Sequence, residues 1–354
     1  MPRTTKPLIF DGHNDLLSRL LGHAGKRYED CFAEGLPGHI DMSKAQAGGL
    51  GAGFFAVFVS SGESGGSAQV LEQMQAPNYD LPLPEPVSIS VAQKSAWAQV
   101  EILQKLDRAG HLRICTCVSE IKKCLADGQL AAVLHLEGAE AIGPDLVELD
   151  AFYKAGLRSL GPVWSRQTVF GDGVPFRFPA SPDTGGGLTD LGRALVRRCN
   201  GLGIMVDVSH LTEAGFWDVA AISDAPLVAT HSNAHALCPH SRNLTDRQLC
   251  AIAESGGMVG LNFATAMLRT DGRMVADTPM TDMIRHLDHL RDLLGEGGVA
   301  LGSDFDGAIV PLEIGDASGL GVLRQAMIDA GYGPSLIAKI CHENWLNLLS
   351  RAWG

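Results

Sequence analysis

Ile9-Phe10-Asp11-Gly12-His13-Asn14-Asp15 opens the interpretable part of this chain. A short apolar strand breaks at Gly12, and an imidazole and a carboxylate follow at His13 and Asp15. Residues two apart on an extended strand point the same way, so these two side chains can converge on one ion. A lone His-x-Asp carries little weight, but the pattern recurs. Val133-Leu134-His135-Leu136-Glu137, Met205-Val206-Asp207-Val208-Ser209-His210, Leu227-Val228-Ala229-Thr230-His231 and Val299-Ala300-Leu301-Gly302-Ser303-Asp304 are also apolar runs that end in a potential ligand or an acid.

Outward from these runs the chain alternates. Strand-like stretches cover 7–11, 52–59, 131–136, 157–163, 204–209, 227–231, 258–263 and 298–303, and they are apolar on both faces, as parallel strands covered by helices are. Helical patterns lie between them at 95–109, 145–155, 188–202, 212–220, up to Glu254 from a Thr245 cap, 281–294 and 334–349. This alternation predicts a (β/α)8 TIM barrel of the metal-dependent hydrolase type, one domain spanning 1–354. Two Gly-, Ser- and Pro-rich stretches, 60–90 and 171–187, follow the second and fourth strands. They read as loop insertions at the C-terminal face, where barrel enzymes build lids and specificity walls.

Composition narrows the function. A formal charge of −12 argues against nucleic acid or an anionic membrane as partner, since both call for clustered cations. No run approaches the roughly 18 apolar residues of a membrane span, and 1–7 shows no apolar core of a secretion signal. The eight cysteines have no paired CxxC spacing. Cys115 and Cys117 read as strand residues, and the set as reduced thiols of a cytoplasmic protein.

In a barrel the C-terminal strand ends meet at one mouth. His13, Asp15, Glu137, His210, His231 and Asp304 should therefore surround one cavity. Three neutral imidazoles with carboxylates suit zinc, and they are too many for one tetrahedral catalytic ion with an open position. The expectation is two zinc ions per chain, with His13 and Asp15 on one, His210 and His231 on the other and Glu137 between them. Such ions make bound water a nucleophile near neutral pH, which leaves Asp304 as proton carrier. Asp306, two residues on, is the alternative by strand parity. His135 should point inward one layer below, as a donor to the ligands or as a core residue. The remaining histidines, 23, 39, 111, 235, 240, 286, 289 and 342, read as surface residues.

Together the motifs Asp11-Gly12-His13-Asn14-Asp15, Glu137-Gly138, Asp207-Val208-Ser209-His210, His231-Ser232-Asn233-Ala234, Ser241-Arg242-Asn243-Leu244 and Gly302-Ser303-Asp304-Phe305-Asp306-Gly307 resemble the membrane (renal) dipeptidase family of the amidohydrolase superfamily. They run from the first strand to the last, so the resemblance covers nearly the whole chain. It implies a zinc-dependent dipeptidase with the same ligand pairs and the same bridging Glu137. It also implies that Arg242 pairs with the substrate's terminal carboxylate, a task that suits a planar two-donor guanidinium, with Asn243 beside it in the substrate site.

The chain departs from the family at the end of the fourth strand. There Gly161-Pro162-Val163-Trp164 places Trp164 where the family has a substrate-contacting histidine. An indole donates one hydrogen bond but carries no proton or charge, so polarisation of the scissile carbonyl falls to zinc, to Trp164 or to Arg166. After the seventh strand Asn262-Phe263-Ala264 stands where the renal enzyme has a tyrosine. The resemblance implies a small dipeptide substrate, with a D-residue or glycine tolerated at its C-terminal position. N-acyl amino acids and other small amides are the alternative. A homodimer is common among such barrels, though nothing in the sequence requires one.

Overall fold

The structure, a computed structural model, describes residues 8–23, 27–35, 37–61 and 67–353. The expected strand start at Pro7, the leader stretch 1–7 and part of the first insertion lie outside the described residues. Eight strands form the main path of a parallel sheet: β1 Ile9–Asn14, β2 Leu50–Phe58, β3 Ala131–Glu137, β4 Leu157–Gly161, β5 Met205–Val206, β6 Val228–Ser232, β7 Met258–Asn262 and β8 Val299–Gly302. Their order is β5-β4-β3-β2-β1-β8-β7-β6. The circle closes through a parallel bridge between Asp207 and Val228 and a 2.9 Å bond from Val208 N to Val228 O. This is the (β/α)8 barrel that the alternation predicts.

The two apolar faces of the strands bury against different partners. Ile9, Leu134, Leu136 and Leu261 face the surrounding helices, whereas Phe10, Phe54, Val133 and Met258 fill the floor of the barrel with Trp345. Trp345 stacks on Phe10 at 5.6 Å between ring centroids, meets Phe54 edge-on at 5.1 Å, and donates its Nε1–H to Leu301 O at 3.0 Å. The floor is thus a packed plug. His135 and Glu137 follow Val133 at the two-residue period and rise from this floor toward the mouth. In β1 the alternation is offset by a register shift between Asp11 and Asn14. There is no room for a side chain at Gly12, whose Cβ would meet Thr230 O at 2.5 Å and Trp345 Cζ2 at 2.6 Å.

Thr212 and Thr245 cap their helices as the sequence predicts, Thr245 in a reciprocal box with Gln248. The expected 334–349 helix is instead Pro334–Ala338, a π turn at Lys339–Glu343, and Asn344–Ala352. The helix expected from Ser95 begins at Ile89. Leu16–Leu21, Tyr28–Glu34, Met42–Gly48, Ser67–Gln73, Val118–Asp127 and Leu320–Asp329 are helical without an announcing pattern, and most are too short to be stable without tertiary packing. Neither Cys115 nor Cys117 lies in a strand: the strand there is Arg113–Ile114, and Cys117 precedes Val118–Asp127 as its N-cap. His240 and His286 are fully buried rather than at the surface. The His286 ring takes the Ala234 N–H at Nδ1 and reaches Leu268 O from Nε2, at 3.2 and 3.0 Å.

The two long insertions do not remain separate loops. Tyr79–Asp80 from the first pairs antiparallel with Arg177–Phe178 from the second. Beneath them Met74, Tyr79, Phe178, Met267 and Met274 form a small apolar cluster of their own. The result is a roof over the barrel mouth. No helix among the described residues is long and apolar enough to cross a membrane.

Candidate metal centre

Strand ends bring the expected ligands together. Glu137 ends β3, and its Oε1 lies 3.0 Å from His210 Nε2, 3.5 Å from His231 Nε2 and 3.5 Å from His13 Nε2. Asp15 Oδ2 is 3.6 Å from His13 Nε2. The ligand atoms of His13, Glu137 and His231 all lie within 4.8 Å of one another, as do those of His13, Asp15 and Asp304. Glu137 Oε1 thus touches all three imidazoles, and the His13 and His231 rings are themselves 3.9 Å apart between centroids, with His210 Nε2 3.1 Å from His231 Nε2.

Hydrogen bonds prepare two of the imidazoles. Asp207 Oδ2 accepts the Thr230 hydroxyl at 2.6 Å, so Thr230 Oγ1 is left to accept from His231 Nδ1 at 2.8 Å. That places the His231 proton on Nδ1 and leaves the Nε2 lone pair facing Glu137. Ser165 Oγ plays the same part at His210 Nδ1, at 3.0 Å. Burial, with nearby positive charge, pushes the pKa of both rings well below the usual histidine value, which keeps them neutral. His13 has neither nitrogen hydrogen-bonded among the described residues, though it is fully buried. Burial alone would lower its pKa, but the carboxylates of Glu137, Asp15 and Asp304 overcome this and raise it to about 10. The pocket thus attracts positive charge strongly and offers unpaired donors to receive it. These residues fit a divalent metal ion of borderline softness.

Asp304 stands at the rim in a left-handed conformation, φ 58°. Its main-chain N–H bonds His13 O at 3.0 Å, and Asn262 donates to its Oδ2 at 3.0 Å. Asp306 is otherwise occupied. It accepts the His39 N–H at 2.6 Å and pairs with Arg19 at 2.9 Å. Of the two acids weighed from sequence, only Asp304 is free of a cation partner beside the ligands. A Cβ at Gly307 would overlap both Asp15 Oδ2 and Asp304 Oδ1.

A cavity of about 200 Å³ runs from Trp164, Phe176 and Arg242 past Glu137 and Asp304 to the roof methionines Met74 and Met274. Trp164 is in the wall, 5.0 Å from the Phe58 ring and 6.0 Å from His210 between centroids. Arg242 reaches the cavity from a buried position, bonding Ser209 O, with Nη2 at 3.1 Å from His210 Nε2. Two sequence readings need correction. Asn243 does not reach the cavity: its amide donates to Cys238 O and Met267 O, each at 2.9 Å, and so ties down the turn. Arg166 is likewise withdrawn, paired with Glu140 at 2.8 Å and bonded to Val59 O at 3.0 Å. The sequence gives little notice of Thr230 and Ser165, because a hydroxyl beside a ligand has no distinctive spacing.

Comparison with known proteins supplies the family. The sequence pattern of the family described as membrane dipeptidase (peptidase family M19) matches residues 4–352. A metallopeptidase from Rhodobacter sphaeroides, solved with a phosphinate mimic of the dipeptide L-Ala-D-Ala, is 53% identical, with 99% of this chain and 100% of that one covered and a TM-score of 0.96. An uncharacterised protein in the pqqA 5′ region of Klebsiella pneumoniae is 49% identical over 259 residues, covering 73% of this chain and 96% of that relative. The dipeptidase tcpJ of Claviceps purpurea is 25% identical over 344 residues, covering 96% of this chain and 76% of its own length.

Proposed function

The chain belongs to the membrane dipeptidase family, peptidase family M19, and from that premise we propose that it hydrolyses small dipeptides at a centre of two zinc ions. His13 and Asp15 would hold one ion, His210 and His231 the other, and Glu137 both. The observation that carries this reading is the position of Glu137 Oε1, within 3.5 Å of three separate imidazole nitrogens. When bound, the ions supply an activated water and polarise the scissile carbonyl.

The chain's own groups do the rest. Arg242 receives the terminal carboxylate at one end of the cavity, and its planar fork suits that anion. Asp304, at the other side of Glu137, accepts the proton released by the attacking water and delivers it to the departing amine. Trp164 closes the wall as an apolar surface and carries no proton. The roof methionines Met74 and Met274 line the cavity on the side away from the barrel floor. The Rhodobacter relative's bound mimic of L-Ala-D-Ala supports tolerance of a D-residue at the C-terminal position, and glycine, which lacks a side chain, would meet the same space. The eight unpaired thiols fit a reducing, cytoplasmic setting.

Zinc-loaded protein assayed against L-L, L-D and glycine-containing dipeptides, with N-acyl amino acids alongside, tests the proposal. Turnover of L-X-D-X and L-X-Gly dipeptides is expected. Hydrolysis confined to N-acyl amino acids would replace it with the alternative amidase reading.

A further inference from the structure

The turn Cys238–Asn243 contains a buried imidazole that neither the metal centre nor the hydrolysis employs. His240 is fully buried. Its Nδ1 lies 3.0 Å from the main-chain nitrogen of Arg242 and accepts that N–H, so the ring's proton is on Nε2. Burial, reinforced by the Arg242 charge, lowers the pKa to about 3 and keeps the ring neutral. Nε2 has no hydrogen-bond partner among the described residues. The adjacent Tyr79 and Phe176 rings stand 5.9 and 6.4 Å away between centroids, and the Tyr79 hydroxyl is already bonded to Gly272 O at 2.7 Å. A buried donor without a partner is destabilising, because it has given up its bonds to water. A phenylalanine would fill this apolar space without that cost, so the one bond the ring does make is the reason to look for its use.

The rest of the turn is held from both sides. Ser241 is fastened to the roof: its N–H bonds Arg177 O at 3.1 Å, while its hydroxyl accepts from Arg177 N at 3.0 Å and donates to Pro175 O at 2.5 Å. On the other side the Asn243 main chain bonds His240 O at 2.9 Å and its side chain bonds Cys238 O and Met267 O. Between them the Arg242 N–H, in a site closed to water, has His240 Nδ1 as its acceptor.

We infer that His240 is a positioning residue for Arg242, setting the direction in which the guanidinium enters the cavity and hence the affinity for a substrate's terminal carboxylate. This rests on the reading of Arg242 as the carboxylate anchor. If the N–H of Arg242 loses its acceptor, the turn must shift to find another, and the guanidinium moves with it. The metal ligands and Asp304 come from other strand ends, so the larger effect falls on KM, and kcat moves only as far as the guanidinium's 3.1 Å contact with His210 Nε2 is disturbed.

The test compares L-Ala-D-Ala with its C-terminal amide in zinc-loaded wild type, His240→Phe, His240→Asn and Arg242→Ala. An asparagine oxygen accepts the N–H two residues on in the same way, so His240→Asn should retain the wild-type KM. His240→Phe should raise KM for the dipeptide about tenfold, equivalent to roughly 1.4 kcal/mol, with smaller changes in kcat and in kcat/KM for the amide. Should the Phe variant not fold, His240→Ala is measured in the same two assays. An unchanged dipeptide KM in the Phe or Ala variant, equal losses on dipeptide and amide, or an Asn variant no better than Phe would each overturn the inference. Arg242→Ala separates the two levels: if it still prefers dipeptide over amide as the wild type does, the anchor reading itself fails.

Discussion

A single carboxylate oxygen organises the site, and the residues around it differ in how readable they are. His13, Asp15, Glu137, His210, His231 and Asp304 are legible because each ends an apolar run, and a barrel turns that one-dimensional regularity into a ring. Asn243 and Arg166 are misread because a polar side chain in a motif has two possible destinations. Only the fold shows that these two bond main-chain carbonyls and Glu140 instead of the cavity. Thr230 goes unread although, with its own hydroxyl given to Asp207, it accepts the His231 Nδ1 proton and so fixes that ring's tautomer. Thr230→Val should therefore weaken metal binding about 10–100-fold, measured by competition with a chromophoric chelator. Replacing Asp304 with Asn should reduce kcat by roughly 10²–10⁴-fold with metal content retained. Unchanged kcat would remove Asp304 from proton transfer.

At the scale of elements, the strands were accessible because parallel strands buried on both faces read as unbroken apolar runs. β5 is shorter than its run, Met205–Val206 against 204–209, because the Asp207 side chain takes the Ser209 and Thr230 N–H groups at 3.0 and 2.9 Å. Both insertions read as lid material, but the pairing that joins them into a roof could not be foreseen. Its two strands are two residues each and lie nearly a hundred positions apart, so no local pattern records their pairing. The last helix hides a further device. The π turn at Lys339–Glu343 precedes Trp345, the plug of the barrel floor. Trp345→Ala should lower stability by about 3–5 kcal/mol, read from urea unfolding of the zinc-loaded protein. A loss under 1 kcal/mol would mean that the floor is held by other contacts.

For the whole molecule, buried neutral histidines make the fold acid-sensitive apart from any loss of metal. Burial lowers the His286 pKa to about 4 from its ordinary 6.5, and that of His240 to about 3. In the unfolded chain both rings take up a proton near pH 6.5, whereas the native state refuses it. Their contribution is complete above that pH and is lost as pH falls toward 4, with a slope of about one proton per histidine. His286→Gln should flatten the acid limb of the stability–pH curve, and an unchanged slope would place the acid sensitivity elsewhere. Glu137, Asp15 and Asp304 crowd around the single imidazole of His13, so this site calls for positive charge. The most direct test titrates metal-free protein with zinc, following dipeptide hydrolysis while bound metal is counted by elemental analysis. Activity should climb until two ions are held per chain and then level off, and Glu137→Gln should bind fewer and stay inactive. Full activity with one ion per chain, or two tightly held ions in Glu137→Gln, would contradict the account.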